Sequence, residues 1–135
     1  MKQDNREIKY VPRAMISGNG MVVYFTSSSY MNRKIEVYDK EIGTYRTEYD
    51  LEFCDALRDE PGVQLKPAFN RSDVFDTAEQ CQQYLVARNK RGLDNLLEKY
   101  PKASTQIIKS FYDGLNKARE IEKRILEENT HNYQY

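Results

Sequence analysis

The sequence predicts an α+β fold in which an N-terminal twisted antiparallel sheet is followed by C-terminal helices, the last of them long. Up to about residue 76, β-branched and aromatic residues alternate with polar ones, as in half-buried strands. Beyond it, apolar residues recur at intervals of three and four, as on one face of a helix. The length of 135 residues suits one domain. We divide this single domain, 1–135, into a β-rich part at about 7–76, a helical part at about 77–128 and a disordered tail at 129–135.

A hairpin signal predicts the first two strands. Polar and apolar residues alternate over 7–17, and the Gly-Asn-Gly sequence at 18–20 supplies the positive φ angles that a tight turn requires. The chain then returns as a strand over 21–26. Pro12 has no amide donor, which predicts that the first strand is an edge strand or is bulged there.

A second hairpin is predicted after a polar loop at 27–32. Its strands cover 33–40 and 44–51 and meet at Gly43. Three short elements follow, namely a helical turn at 51–57 and strands at 63–69 and 74–75. The expected product is a strongly twisted sheet of four or five strands, with a partly open small barrel as the alternative.

Three helices are predicted in the second half of the chain. The first begins at Thr77 or the residue before it, within a capping-box sequence, and ends at Gly92, where a left-handed residue suits a helix C-terminus. A shorter helix covers 93–100, and the third runs from 104 to about 128.

The third helix carries a stripe of apolar and small residues at the heptad spacing of a coiled coil. The stripe consists of Ile107, Phe111, Gly114, Ala118, Ile121 and Ile125. Two interpretations stay open. Either the stripe packs on the sheet and the other helices as ordinary core, or it joins two copies in a homodimer, where its small residues allow close approach of a partner backbone.

Composition and charge argue against several classes of protein. Twenty-one Lys plus Arg balance twenty-one Asp plus Glu, so the chain lacks the basic excess of a duplex-DNA binder. The longest apolar run, at 21–25, is far too short for a membrane-spanning helix, and the N-terminus lacks the apolar segment of a secretory signal. We therefore expect a cytoplasmic protein that has no membrane contact and keeps its two cysteines reduced.

No strong residue pattern points to catalysis, a metal or a cofactor, and we expect none of the three. The single histidine, His131, lies in the polar tail, and no glycine-rich phosphate loop opens a helix. One weak nuclease-like pattern, in which Asp55 or Asp59 is followed by Gln64 and Lys66, leaves a metal-dependent hydrolase as a remote alternative.

Tyrosine is the most unusual feature of the composition. Six of the eleven tyrosines lie in the first fifty residues, several of them beside a basic residue. Such side chains on a sheet can anchor a protein partner or stack the bases of a single-stranded nucleic acid, whereas the structural alternative is that Tyr suits a half-buried sheet. The candidate binding residues are Tyr30, Arg33, Lys34, Tyr45 and Arg46.

The compact basic cluster of the chain is formed by Arg88, Lys90 and Arg91, just before Gly92. Cations near a helix C-terminus offset the helix macrodipole, which is a structural role. Contact with a phosphate or with an acidic partner is the functional alternative.

Together these features predict a non-catalytic protein-binding accessory or regulatory module. It acts through the Tyr/Arg face of the sheet or through the long helix, and a single-stranded nucleic-acid-binding protein is the alternative. In general character, a short tyrosine-rich α+β chain without a catalytic signature is similar to small accessory proteins of phages and mobile elements.

Overall fold

The computed structural model of the chain describes residues 6–54, 61–70 and 73–132. The strands are β1 (Glu7–Ser17), β2 (Val22–Asp39), β3 (Thr44–Phe53) and β4 (Val63–Pro67). They form one open antiparallel sheet in the spatial order β3-β2-β1-β4. The helices are α1 (Ala78–Lys99) and α2 (Ser104–Asn132), joined by a 3-10 turn at Pro101–Ala103. The predicted α+β fold is therefore confirmed, with an open sheet and not a barrel.

The first hairpin follows from local turn chemistry. The Met21 N–H donates to the Ser17 hydroxyl at 3.1 Å and to the Asn19 side-chain oxygen at 3.2 Å. Gly20 has a φ of 84°, a conformation that residues with a Cβ rarely adopt. The predicted strand at 7–17 and its turn are both confirmed.

Pro12 lies inside the sheet, because β1 pairs with β2 on one side and with β4 on the other. The N–H and C=O of Tyr10 bond to Phe75 on the β4 side, at 2.9 Å each, so the amide position of Pro12, two residues later, faces the same side. The strand pairing ends at Pro67, and the Ala68 N–H still donates to the Pro12 C=O at 3.2 Å, so Pro12 takes part as an acceptor without needing an amide donor. The predicted edge strand was wrong, although pairing is interrupted at this point.

β2 is the longest strand, with 18 residues, and it changes partner along its length. Residues 22–31 pair with β1, and residues 29–39 pair with β3, with a β-bulge between Met31 and Arg33. The polar segment 27–32 lies within this strand, so the predicted loop was wrong. Backbone pairing with β1 outweighs the polarity of its side chains, and the small side chains of Ser27–Ser29 fit in the fully buried part of the sheet.

Two helix side chains close the edge of β2 that β3 does not reach. The buried Asn89 of α1 accepts a hydrogen bond from the Tyr24 N–H at 2.8 Å and donates to the Tyr24 C=O at 3.0 Å. Glu122 of α2 accepts from the Thr26 N–H at 2.8 Å and from the Gln82 side chain at 2.9 Å. These side chains take the place of a neighbouring strand, since buried backbone groups need partners.

The far half of β2 and most of β3 form a two-stranded ribbon, which we define as residues 33–50. The last pairing of β1 with β2 in this direction is Glu7 opposite Met31. Among the described elements, β3 pairs only with β2, and at its far end the Phe53 ring centroid lies 3.9 Å from the Arg13 guanidinium of β1. β3 extends to Phe53, so residues 51–53 of the predicted helical turn at 51–57 are strand, and residues 55–57 lie outside the described residues.

The helices differ from the prediction in their boundaries. Thr77 forms the predicted capping box with Gln80, with two hydrogen bonds of 3.2 Å. α1 then continues through Gly92 to Lys99, so the predicted break was wrong. A glycine costs a helix only about 1 kcal/mol, and Leu93 packs against the core just beyond it. α2 extends through 129–132, which were predicted as tail, and 133–135 lie outside the described residues.

The core lies between the sheet and α2. Its buried members are Met15, Val23, Phe25, Leu65, Phe111, Ala118, Ile121 and Ile125. Five of the six residues of the predicted stripe on α2 are buried in the chain, and Ile107 is half-buried. The stripe thus packs as core, and the surface that a homodimer along it requires is occupied by the chain's own sheet.

Two further observations concern the sequence predictions. The segment at 74–75 forms a single bridge to β1 and not a strand. None of the helices in the described part of the chain is both long enough and apolar enough to cross a membrane.

Candidate functional site

Three large apolar side chains are exposed together at the end of the ribbon. Tyr38 is 52% exposed, Ile42 is 61% exposed and Tyr45 is 65% exposed. The two tyrosines lie opposite each other on β2 and β3, and their rings meet edge to face with centroids 5.3 Å apart. We call these three residues the ribbon tip.

The turn beneath the ribbon tip is organised by Asp39. Its carboxylate accepts a hydrogen bond from the Glu41 N–H at 2.9 Å and from Arg46 Nε at 2.8 Å, while its C=O accepts from the Gly43 N–H at 2.9 Å. The Glu41 N–H, together with Arg46, holds the pKa of the Asp39 carboxyl below its ordinary value. Gly43 has a φ of 72°, which suits glycine at this position.

Further cross-strand contacts hold the two strands of the ribbon together. Arg33 lies 3.3 Å from the Asp50 carboxylate, and the Thr47 hydroxyl donates to Glu36 at 2.9 Å. Within β3, Arg46 also pairs with Glu48. Because an isolated two-stranded hairpin is only marginally stable in water, these pairs order the ribbon tip before any partner binds.

The structure splits the predicted Tyr/Arg binding residues between the two faces of the ribbon. Lys34 lies opposite Tyr49, and Tyr38 lies opposite Tyr45, so these side chains share one face. Arg33 and Arg46 lie on the other face.

The two arginines among the predicted binding residues also have partners within the chain. Arg33 pairs with Asp50, and Arg46 pairs with Asp39 and Glu48. Tyr30 lies under the guanidinium of Arg6, which is 4.4 Å from the ring centroid. The five predicted residues therefore do not form one continuous surface for stacking bases and binding phosphates.

Arg88, in the predicted basic cluster, joins α1 to the sheet. It stacks on the Tyr24 ring at 3.9 Å, donates to the Ala68 C=O at 2.7 Å and approaches the Asp73 carboxylate at 3.9 Å. The predicted macrodipole role was wrong, because α1 continues for two more turns. Lys90 and Arg91 are exposed on the same helix.

The cysteines and carboxylates show no reactive arrangement in the described residues. Burial raises the pKa of the Cys81 thiol to about 11, so the thiol stays protonated at neutral pH. Across 6–54, 61–70 and 73–132, no group of three or more His, Cys, Asp or Glu side chains could hold a metal ion. Gln64 and Lys66 are exposed on β4, whereas Asp55 and Asp59 lie outside the described residues.

A groove of about 740 Å³ lies between α1 and α2. Its floor is formed by Tyr24 and Phe25 of β2, and its walls include Leu93 and Leu115. The sequence reasoning missed this groove and the edge-closing role of Asn89. Asn89 lies four positions after Leu85 and four before Leu93, on an otherwise apolar helix face. This polar residue was the signal that could have revealed the edge-closing role.

No family model, curated protein or solved structure matches this chain. Its function is therefore inferred from the geometry of the chain alone.

Proposed function

We propose that the chain is a non-catalytic protein-binding module, of an accessory or regulatory kind, whose binding surface lies on the ribbon at residues 33–50. The observation that supports it is the ribbon tip, where Tyr38, Ile42 and Tyr45 are each more than half exposed and the rings of the two tyrosines are in contact. Isolated exposed apolar residues are normal on protein surfaces, but a cluster at the end of a projecting element is typical of an interaction site.

The order of the ribbon favours binding. A partner that covers the tip gains the apolar area of two tyrosines and one isoleucine, and tyrosine is among the residues that dominate binding energy. The turn is already fixed by Asp39, and the strands are already joined by ion pairs. Little conformational entropy is therefore lost when the tip binds.

The long helix is the less favoured surface. Its apolar stripe packs against the sheet, where Phe111, Ala118 and Ile121 are at most 4% exposed. A partner would have to displace the sheet in order to reach that stripe.

A single-stranded nucleic acid is also less favoured than a protein. Residues 33–50 contain four basic and five acidic side chains, so the ribbon has no excess of positive charge. Its two arginines are already paired with carboxylates. Phosphate binding would require those ion pairs to open, whereas a protein partner can use the apolar tip directly.

Photo-cross-linking in cells that produce the protein tests this proposal. A photoreactive amino acid replaces Tyr45 on the ribbon or, as the matched control, Tyr112 on the long helix, which is 52% exposed. We expect discrete protein adducts from position 45 and few from position 112. Adducts that form mainly from position 112, or adducts from position 45 that nuclease removes, would contradict the proposal.

A further inference from the structure

The outer edge of β3 presents backbone groups that point away from the sheet. The Cys54 N–H donates to the Ser28 C=O of β2 at 3.1 Å. Because successive residues of a strand point their backbone groups to opposite sides, the even-numbered residues of β3 bond to β2. The N–H and C=O groups of Tyr45, Thr47 and Tyr49 therefore point outward.

The long hairpin has two outer edges, one on β2 and one on β3, and their backbone groups are paired differently. Asn89 and Glu122 close the free edge of β2. Among the residues that the structure describes, no backbone–backbone hydrogen bond joins the outer edge of β3 to another segment of the chain. Asn70 and Val74 approach Glu48 and Tyr49, where they line a small hollow, but no backbone bond to β3 accompanies this approach within the described ranges.

We propose that the outer edge of β3 pairs antiparallel with the same edge of a second copy across a two-fold axis at Thr47. This inference rests on the proposed function, because it names the partner of the ribbon. The two sheets would join into one continuous antiparallel sheet of eight strands. In this ten-residue edge strand, aromatic, β-branched and aliphatic residues alternate with charged ones, and its unpaired backbone groups can accept a further strand.

Charge complementarity supports a second copy as the partner. With Thr47 on the axis, Arg46 and Glu48, which already pair within each chain, lie opposite Glu48 and Arg46 of the other copy, so the four side chains alternate in charge across the axis. Tyr45 of each copy lies opposite Tyr49 of the other. The pairing would therefore cover the most exposed aromatic ring of the ribbon tip.

The other symmetric registers are less favourable. The axis can pass through a residue whose backbone groups point outward or through one whose groups bond to β2, but Arg46, Glu48 or Asp50 on the axis would lie opposite its own copy and bring like charges together. Tyr49 on the axis would place Glu48 opposite Asp50, and Leu51 on the axis would place Asp50 opposite Glu52, so both registers bring like charges together. Tyr45 on the axis would leave only a few residues paired before the turn begins. The charge pattern of β3 thus selects the Thr47 register.

A proline substitution tests the edge itself. Thr47→Pro removes an outward N–H that no bond within the ribbon uses, and proline is tolerated at such positions in edge strands. Thr47→Val is the matched control, since both variants lose the hydroxyl that donates to Glu36 but only proline loses the N–H. In sedimentation equilibrium we expect dimers for the wild type and Thr47→Val, and monomers for Thr47→Pro. A monomeric wild type, or a dimeric Thr47→Pro, would overturn the inference.

Charge exchange tests the register of the pairing. It also tests whether two copies pair at this edge if the proline variant does not fold. Arg46→Glu alone and Glu48→Lys alone each place like charges opposite one another twice, so we expect each dimer to dissociate about tenfold more readily. An equal mixture of the two variants restores opposite charges at both positions and should form heterodimers. Failure of the mixture to associate would refute the register.

The two proposals fail in distinguishable ways. If the wild type is monomeric while position 45 still cross-links to a different protein, the inference of a second copy is wrong and the proposed function stands. If position 45 yields no protein adduct of any kind, the proposed function is wrong as well.

Discussion

The two halves of β2 belong to one continuous strand but lie in opposite surroundings. In the first half, residues 25–29 are all buried, and the free edge is closed by Asn89 and Glu122. In the second half, Tyr38 is more than half exposed, and residues 33–39 pair with β3. The chain thus stabilises its fold with one half of the hairpin and presents apolar side chains to solvent with the other.

The two halves of β2 also differ in what holds them in place. The first half is fixed by burial of apolar surface and by hydrogen bonds from two helices, which carry most of the free energy of folding. The ribbon is fixed by ion pairs and one aromatic contact, each of which contributes little. Changes in the first half should therefore affect stability, and changes in the ribbon should affect binding.

The largest expected effect is on the free energy of unfolding, when a core side chain is removed. Phe111 is 4% exposed and packs between α2 and the sheet. Phe111→Ala should lower the free energy of unfolding by about 3 to 5 kcal/mol, from lost burial and the cavity that remains. Urea denaturation of the wild type and the variant measures this difference in the free energy of unfolding. A loss below about 1 kcal/mol would contradict the placement of α2 on the sheet.

The next effect concerns the closed edge of β2. Asn89→Ala leaves the Tyr24 N–H and C=O without their partner, and the expected cost is about 1 to 3 kcal/mol. Lys90→Ala, at the exposed neighbouring position, is the matched control and should change stability by less than about 0.5 kcal/mol. Equal effects from the two variants would show that Asn89 does not close this edge.

The smallest effect is the response of the ribbon turn to pH. The pKa of Asp39 is lowered in the folded state, so its contribution to stability is present above the unfolded value of about 3.9 and is lost as the pH falls through the folded value. We expect the Gly43 amide to lose protection below about pH 4, measured by hydrogen exchange as the rate relative to that of an unprotected amide at the same pH. Asp39→Asn should remove this dependence on pH. If the Gly43 amide of that variant still responds to pH as in the wild type, another group is responsible.

Elements that depend on neighbouring residues were predictable from the sequence. The turn at 18–20 requires positive φ angles, and the capping box at Thr77 requires residues three positions apart, so both could be recognised locally. The strand at 27–32 and the continuous helix through Gly92 depend on partners far along the chain, namely β1 and the core. Local polarity and local propensity could not reveal them.

The candidate site was predictable only in part. The sequence identified Tyr45 and the tyrosine-rich hairpin, but it grouped Tyr45 with Arg33 and Arg46, which lie on the other face of the ribbon. Residue spacing within one strand does not show which side chains of two strands share a face, because this depends on their register and on the bulge between Met31 and Arg33.

The central claim is that the ribbon binds a partner while the first half of β2 stabilises the fold. Its most direct test is the double variant Tyr38→Ala/Tyr45→Ala, with a photoreactive amino acid at position 42. Two quantities are measured on it, the free energy of unfolding and the yield of protein adducts. We predict that unfolding changes by no more than about 1.5 kcal/mol, the upper value of an aromatic pair, while the adducts disappear. Adducts that persist at full yield, or a loss of several kcal/mol in stability, would contradict the account.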